Sequence, residues 1–262
     1  MTESATWRGF ASDNYAAAHP EVLAAMARVN VGHQVAYGAD DVTARFGELI
    51  RQHFGEQAQG FPVFNGTGAN VTGLSALTKS WEAVICSSHA HINADEGGAP
   101  EKMAGLKLWP VATPDGKLTP ELVDVHAFGF GDVHRAQPAV VYISQSTELG
   151  TVYSVAELQQ LVEHCHSRGL KVFMDGARLA NAAVSLGLPL RAFTTDVGID
   201  AISFGLTKNG AIGAESVVIL NPAAADGFEF LRKSSMQLSS KMRFNSAQFV
   251  AMLEGDLWQQ NA

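Results

Sequence analysis

Cysteine is nearly missing from this chain: Cys86 and Cys165 are the two among 262 residues. Two cysteines build neither a disulfide scaffold nor a cysteine metal cage, and a reducing cytoplasm is the expected setting. Positive charge is also short. Lys and Arg number 18 against 26 Asp and Glu, a formal net charge of −8. That balance excludes a nucleic-acid binder working through bulk electrostatics, yet leaves room for one small basic pocket around an anionic cofactor. No apolar run approaches the roughly 18 residues of a membrane span. The opening MTESATWRGFASDN has no apolar core of a signal peptide. Internal repeats and low-complexity segments are absent as well. Charged residues make up 17%, below the usual quarter or so of soluble domains. Hydrophobic residues make up 47%, enough to pack one large domain or two modest ones.

The pattern that remains is strand and helix in alternation. Residues 1–20 read as an irregular arm ending at Pro20, which suits the first turn of a helix over 21–29. A second helix is predicted over 40–54, where Val42, Phe46, Leu49 and Ile50 share one face. Residues 61–64 read as a strand, followed by a glycine-rich turn and a helix. Strands are predicted at 139–144, 171–174, 201–204 and 216–220. Helices are predicted over 155–168, stopped by Gly169, over 177–186, closed by Gly187, and over 244–258. This rhythm implies a mainly parallel sheet covered on both faces.

Ligands of open parallel sheets sit at the carboxyl ends of the strands, and four candidate groups fall there. Gly66-Thr67-Gly68-Ala69-Asn70 opens a helix after a strand, where free N–H groups attract an anion. No Gly-Lys-Ser/Thr follows, and the third glycine of a dinucleotide fingerprint is replaced by Val71, so a single phosphate fits better. An ordinary strand-to-helix turn has the same composition. Asp175 ends an apolar strand, where a carboxylate can hold a protonated ring nitrogen, and Arg178 can bind a carboxylate in the same cleft. Taken alone, they read more simply as a helix-capping aspartate beside a solvated arginine. Lys208, among small residues just past a strand, is placed for imine chemistry, or is a plain loop lysine. His91 belongs to Ser88-His89-Ala90-His91-Ile92-Asn93-Ala94-Asp95-Glu96-Gly97-Gly98. No third ligand stands at a metal-site spacing from His89 and His91, so no metal is expected. Glu163-His164-Cys165-His166 reads as the solvated edge of a helix, since residues two apart do not face one another.

Taken in order, the histidine with EGG after it, D-G-A-R-L-A-N-A, and S-F-G-L-T-K-N-G resemble the L-threonine aldolase / β-eliminating lyase family. These are fold-type I enzymes that use pyridoxal 5′-phosphate (PLP). The resemblance runs from Ser12-Asp13-Asn14 to about Leu253. It implies an aspartate aminotransferase-like α/β large domain with a mainly parallel seven-stranded sheet. It also implies the following roles. Lys208 forms the Schiff base with the cofactor, Asp175 pairs with its pyridine nitrogen, and His91 stacks on its ring. Gly66, Thr67, Gly68 and Asn70 hold its phosphate, while Ser12 and Arg178 hold the substrate carboxylate. His134, in Gly131-Asp132-Val133-His134-Arg135, reaches the substrate hydroxyl. Lys241 and Arg243 bind phosphate across a dimer. A homodimer or homotetramer acting on a small amino acid is therefore expected, with neither nucleic acid nor membrane as partner.

Two departures accompany the resemblance. The family's small C-terminal domain, with a further substrate-binding arginine, is expected to be missing. The expected division is an arm over 1–20, a PLP-binding domain over 21–245, and a helix over 246–262 leading to the truncated domain. In addition, Gln145-Ser146-Thr147-Glu148-Leu149-Gly150 stands where the family more often has glutamate, asparagine, threonine and histidine. The expected reaction is cleavage of β-hydroxy-α-amino acids of the threonine, allo-threonine or phenylserine type to glycine and an aldehyde. A β-eliminating lyase or aminotransferase on the same scaffold is the alternative within the class. An inactive fragment serving only to dimerise is the alternative outside it. A dinucleotide-binding oxidoreductase shares the rhythm but lacks the glycine fingerprint.

Overall fold

The structure is a computed structural model that describes residues 8–225 and 227–262. Seven strands form one sheet: β1 (Gln59–Val63), β2 (Glu82–Ser87), β3 (Lys107–Val111), β4 (Gln137–Ser144), β5 (Lys171–Gly176), β6 (Ala201–Gly205) and β7 (Glu215–Ile219). Their order is β1-β7-β6-β5-β4-β2-β3. The four pairs from β3 through β6 are parallel, and β7 runs antiparallel to both β6 and β1. The helices that matter to the site are α1 (Pro20–Arg28), α2 (Asp41–Phe54), α3 (Gly66–Leu77) and the short α4 (His91–Ala94). Farther on come α5 (Val155–Ser167), α6 (Leu179–Leu186), α7 (Phe228–Ser234) and α8 (Met242–Leu253).

Strand periodicity divides the core in two. Val141, Ile143, Val172, Met174, Ile202, Phe204 and Val218 face α1, α2, α5, α6 and α8. Val140, Tyr142, Phe173, Ala201, Val217 and Ile219 face the other way, toward α3 and α7. The same alternation sends Asp175, Ser203 and Glu215 to the α3 side, because each lies two residues along from a side chain on that face. Helix α3 sits close to the sheet because Gly73 has no side chain: a Cβ there would lie 2.4 Å from the Phe173 ring. Two of the predicted helices start on side-chain caps that the sequence supplies. Asp40 caps α2 through the Thr43 N–H, and Ser154 with Glu157 forms a reciprocal capping box on α5.

Strands β2 and β3 lie where the rhythm of the sequence marked none. Strand β3 carries Pro110, which argues against a central strand but is tolerated at the sheet edge that β3 occupies. The predicted helix over 244–258 is broken instead. Helix α8 ends at Leu253, and a separate turn of helix, Leu257–Asn261, follows Gly255. Phe249, Met252, Leu253 and Trp258 pack into the same core as Phe46 and Leu49 of α2. Among the described residues no helix is long and apolar enough to cross a membrane.

Candidate active site

The carboxyl ends of β4, β5 and β6 and the start of α3 surround a cavity of about 450 Å³. Gly66, Thr67, Asn70, His91, Asp175, Arg178 and Lys208 all line it. Residues as far apart as 66 and 208 thus meet at one point, as a parallel sheet requires of its loops.

Asp175 is the anchor. It is 7% exposed and accepts three hydrogen bonds. The Tyr142 hydroxyl donates to Oδ2 at 2.5 Å and the Asn70 amide to the same oxygen at 3.0 Å. The Ala177 N–H donates to Oδ1 at 2.9 Å. Burial, with Asp175 next, pushes the Tyr142 hydroxyl well above its usual range, so Tyr142 remains a donor. The Asn70 amide nitrogen also donates to Glu96 Oε1 at 2.7 Å, and His91 Nδ1 meets that same oxygen at 2.8 Å. A continuous chain therefore runs Asp175, Asn70, Glu96, His91. The Glu96 side chain is fully buried. Its hydrogen bond raises the His91 pKa above the usual imidazole value, against the opposing effect of burial. His91 is held at a second point, where its N–H donates to Glu148 Oε1, which also accepts from Ser144 Oγ.

At the start of α3 the Asn65 side chain caps the Gly68 N–H at 2.7 Å. The N–H groups of Gly66 and Thr67, in the first helical turn, have no acceptor within the helix and border the cavity. Gly68 does not line the cavity: its N–H is spent on the cap, and the Gln237 side chain covers its Cα. Arg178 reaches the cavity, with Nε and Nη2 held by Asp13 at 2.7 and 3.3 Å. Lys208 follows β6 on a short turn, Thr207–Asn209, and its ammonium has no hydrogen bond or ion pair among the described residues.

The remaining expected site residues lie elsewhere in the single chain. Ser12 caps the turn Asp13–Tyr15 and sits two residues from Asn14, which lines the cavity. His134 is exposed on a surface loop beside Val133, away from the cavity lining. Lys241 and Arg243 open α8, where Arg243 Nη1 donates to the Val31 carbonyl at 3.4 Å. His164 and His166 are engaged by Asp124 and Asp200. Among the described residues no three His, Cys, Asp or Glu side chains come together as metal ligands. Tyr142, Glu96, Glu148 and Glu215 line or support the cavity and were not singled out from sequence. Their strand parity and the EGG motif were the available signals.

The donor set fits PLP. The unpartnered side-chain nitrogen of Lys208 suits an aldehyde, and the buried carboxyl group of Asp175 suits a pyridine nitrogen. Free N–H groups at Gly66 and Thr67 suit a phosphate. Two buried polar atoms facing this network, Asn70 Oδ1 and Glu96 Oε2, have no partner of their own.

Comparison with known proteins agrees. A family model described as beta-eliminating lyase matches residues 9–258. A low specificity L-threonine aldolase of Pseudomonas aeruginosa is 44% identical over 95% of this chain and 72% of its own length. That of Pseudomonas sp. is 43% identical over 97% of this chain and 73% of its own length. The structure of the Leishmania major threonine aldolase superposes with a TM-score of 0.90 at 32% identity, covering 95% of this chain and 73% of that one. A match spanning nearly the whole chain, with a PLP-fitting lysine, aspartate and helix start in one cavity, means that this chain belongs to the beta-eliminating lyase family of fold-type I, PLP-dependent enzymes.

Proposed function

We propose that the chain is a threonine aldolase-type carbon–carbon lyase. It cleaves β-hydroxy-α-amino acids of the threonine, allo-threonine or phenylserine type to glycine and an aldehyde. The observation that carries this reading is the convergence of Lys208, Asp175 and His91 on one cavity, on a chain 44% identical to a low specificity L-threonine aldolase. When bound, PLP supplies an electron sink for the charge released at the substrate Cα. Lys208 provides the amine that anchors the cofactor. Asp175, held by three donors, would pair with the ring nitrogen. Gly66 and Thr67 offer their N–H groups to the phosphate, with Asn70 bracing the aspartate behind them.

The substrate carboxylate is assigned to Arg178, whose Nη1 is left over from its contacts with Asp13, and to Ser12. His91 Nε2, the ring nitrogen not engaged by Glu96, takes the β-hydroxyl proton, directly or through water. General-base help of this kind is typically worth about 10²–10⁴-fold. The raised pKa of His91 makes it a stronger base but delays its deprotonation as pH rises. Glu96 accepts the charge that the ring gains.

His134, Lys241 and Arg243 are assigned to a neighbouring subunit's cavity in a homodimer or homotetramer, and the cytoplasm is the proposed compartment. The exposed Phe128, Phe130 and Val133 beside His134 support a subunit contact there. The deciding experiment is product analysis with PLP and L-threonine. Glycine and acetaldehyde in equal amounts support the reading. A keto acid with ammonia replaces it by β-elimination.

A further inference from the structure

Glu215 is a carboxyl group with no role in the chemistry above. It opens β7, is 9% exposed and lines the cavity. It sits where side chains are missing. A Cβ on Gly205 would lie 2.3 Å from Glu215 Oε2, and one on Gly66 would lie 3.8 Å from the same oxygen. Register explains the first contact, since Gly205 and Glu215 are direct partners across β6 and β7. The bare Gly205 therefore leaves the space this carboxyl occupies, and its Oε2 lies beside Gly66, whose N–H is assigned to phosphate.

We propose that Glu215 is the proton-bearing wall of the phosphate cup: it is neutral when a phosphate dianion rests on Gly66 and Thr67, and it takes up a proton as that anion binds. The inference rests on the PLP reading given above. An ionised carboxylate so close to a phosphate that carries about −1.5 to −2 charge opposes binding, whereas a carboxylic acid donates a hydrogen bond. The surroundings leave the group few ways to ionise. Strands β1 and β6 and helix α3, all packed around it, carry no titratable side chain. The charged groups that act on it are Asp175, which opposes ionisation, and Lys208, which favours it without forming an ion pair. Burial is the largest influence and pushes its pKa up to about 7, against hydrogen bonds from Thr207.

The test uses pyridoxine 5′-phosphate, which has no aldehyde and so leaves Lys208 chemistry aside, with pyridoxine as the phosphate-free control. Dissociation constants are measured by calorimetry from about pH 6 to about pH 9, spanning the Glu215 transition. In the wild type, affinity for the phosphate ester falls by about tenfold per pH unit above neutrality relative to Glu215→Gln. Pyridoxine shows no such difference between the two proteins. Equal slopes in wild type and Glu215→Gln overturn the proposal while leaving the PLP site intact. No binding of the phosphate ester to either protein overturns the PLP reading and this proposal together. If Glu215→Gln does not fold, wild-type titrations in two buffers of different ionisation enthalpy decide. Near pH 8 the phosphate ester takes up close to one more proton than pyridoxine does, and no excess uptake refutes the role.

Discussion

Exchanging Asn70 for aspartate alters one terminal group at the junction of the site. The Asn70 amide nitrogen donates to Asp175 at 3.0 Å and to Glu96 at 2.7 Å. Both acceptors are carboxylates and both are buried. Asn70→Asp removes the two bonds and puts a third carboxyl between them. Hydrogen bonds to charged groups contribute about 1.5–3 kcal/mol each, so their loss costs about 3–6 kcal/mol. At roughly 2–4 °C per kcal/mol for a chain of this size, Tm falls by roughly 6–24 °C. The pH dependence has a definite sign. The introduced carboxyl is buried beside two others, so its folded pKa lies above its unfolded value of about 3.9. Its destabilisation therefore grows as pH rises from about 3.9 to the folded value, levels off above it, and is smallest in acid, where a proton restores a donor. Asn70→Leu removes the same donors without adding a carboxyl and lacks this added pH term. Urea denaturation of the three proteins at several pH values measures both effects. A gap for Asn70→Asp under about 0.5 kcal/mol near pH 8, or one that ignores pH, refutes the junction.

Three further outcomes follow from other parts of the structure. Glu96→Gln removes the contact that raises the His91 pKa, so the acid limb of the kcat/KM profile and the NMR titration of His91 both move to lower pH; an unmoved titration separates the two residues. Gly73→Val drives a side chain into the Phe173 ring and costs about 1–3 kcal/mol in denaturant unfolding, a cost that does not appear if α3 can ride away from the sheet. Burial opposes ionisation of Asp200, but hydrogen bonds from His166, the Val172 N–H and Asn221 outweigh it and set its pKa below the usual value. Its contribution is thus complete above the ordinary carboxylate pKa of about 3.9 and fades as pH falls through the lower folded value. The stability gap between wild type and Asp200→Asn, followed from neutral pH into acid, should close over that range.

The parts of the site that were legible in the sequence are those set by local chain geometry. Asp175 and Lys208 each follow an apolar run, and Gly66-Thr67 opens a helix, so the topology of a parallel sheet was enough to bring them together. The bracing contacts were not legible, because the partners are remote, and Asn70 was read only as a phosphate-holding residue. Asn70 and Asp175 are 105 residues apart, and Tyr142 and Asp175 are 33 apart. Only the pairing of β4 with β5 puts Tyr142 on the face of Asp175. Glu215 was hidden for a similar reason: its meaning depends on Gly205 across the adjacent strand and on Gly66 at a helix start remote in sequence. His134, Lys241 and Arg243 show the opposite case. Their motifs were readable, but one chain does not bring them to its own cavity.

Lys208 is the amine assigned to anchor PLP, and borohydride reduction followed by peptide mapping puts that assignment to the test. Reduction of the PLP-loaded protein should fix the pyridoxyl mass on the peptide carrying Lys208, and Lys208→Ala should take up none. A label on any other lysine, or an unchanged yellow absorbance in Lys208→Ala, removes Lys208 from that role.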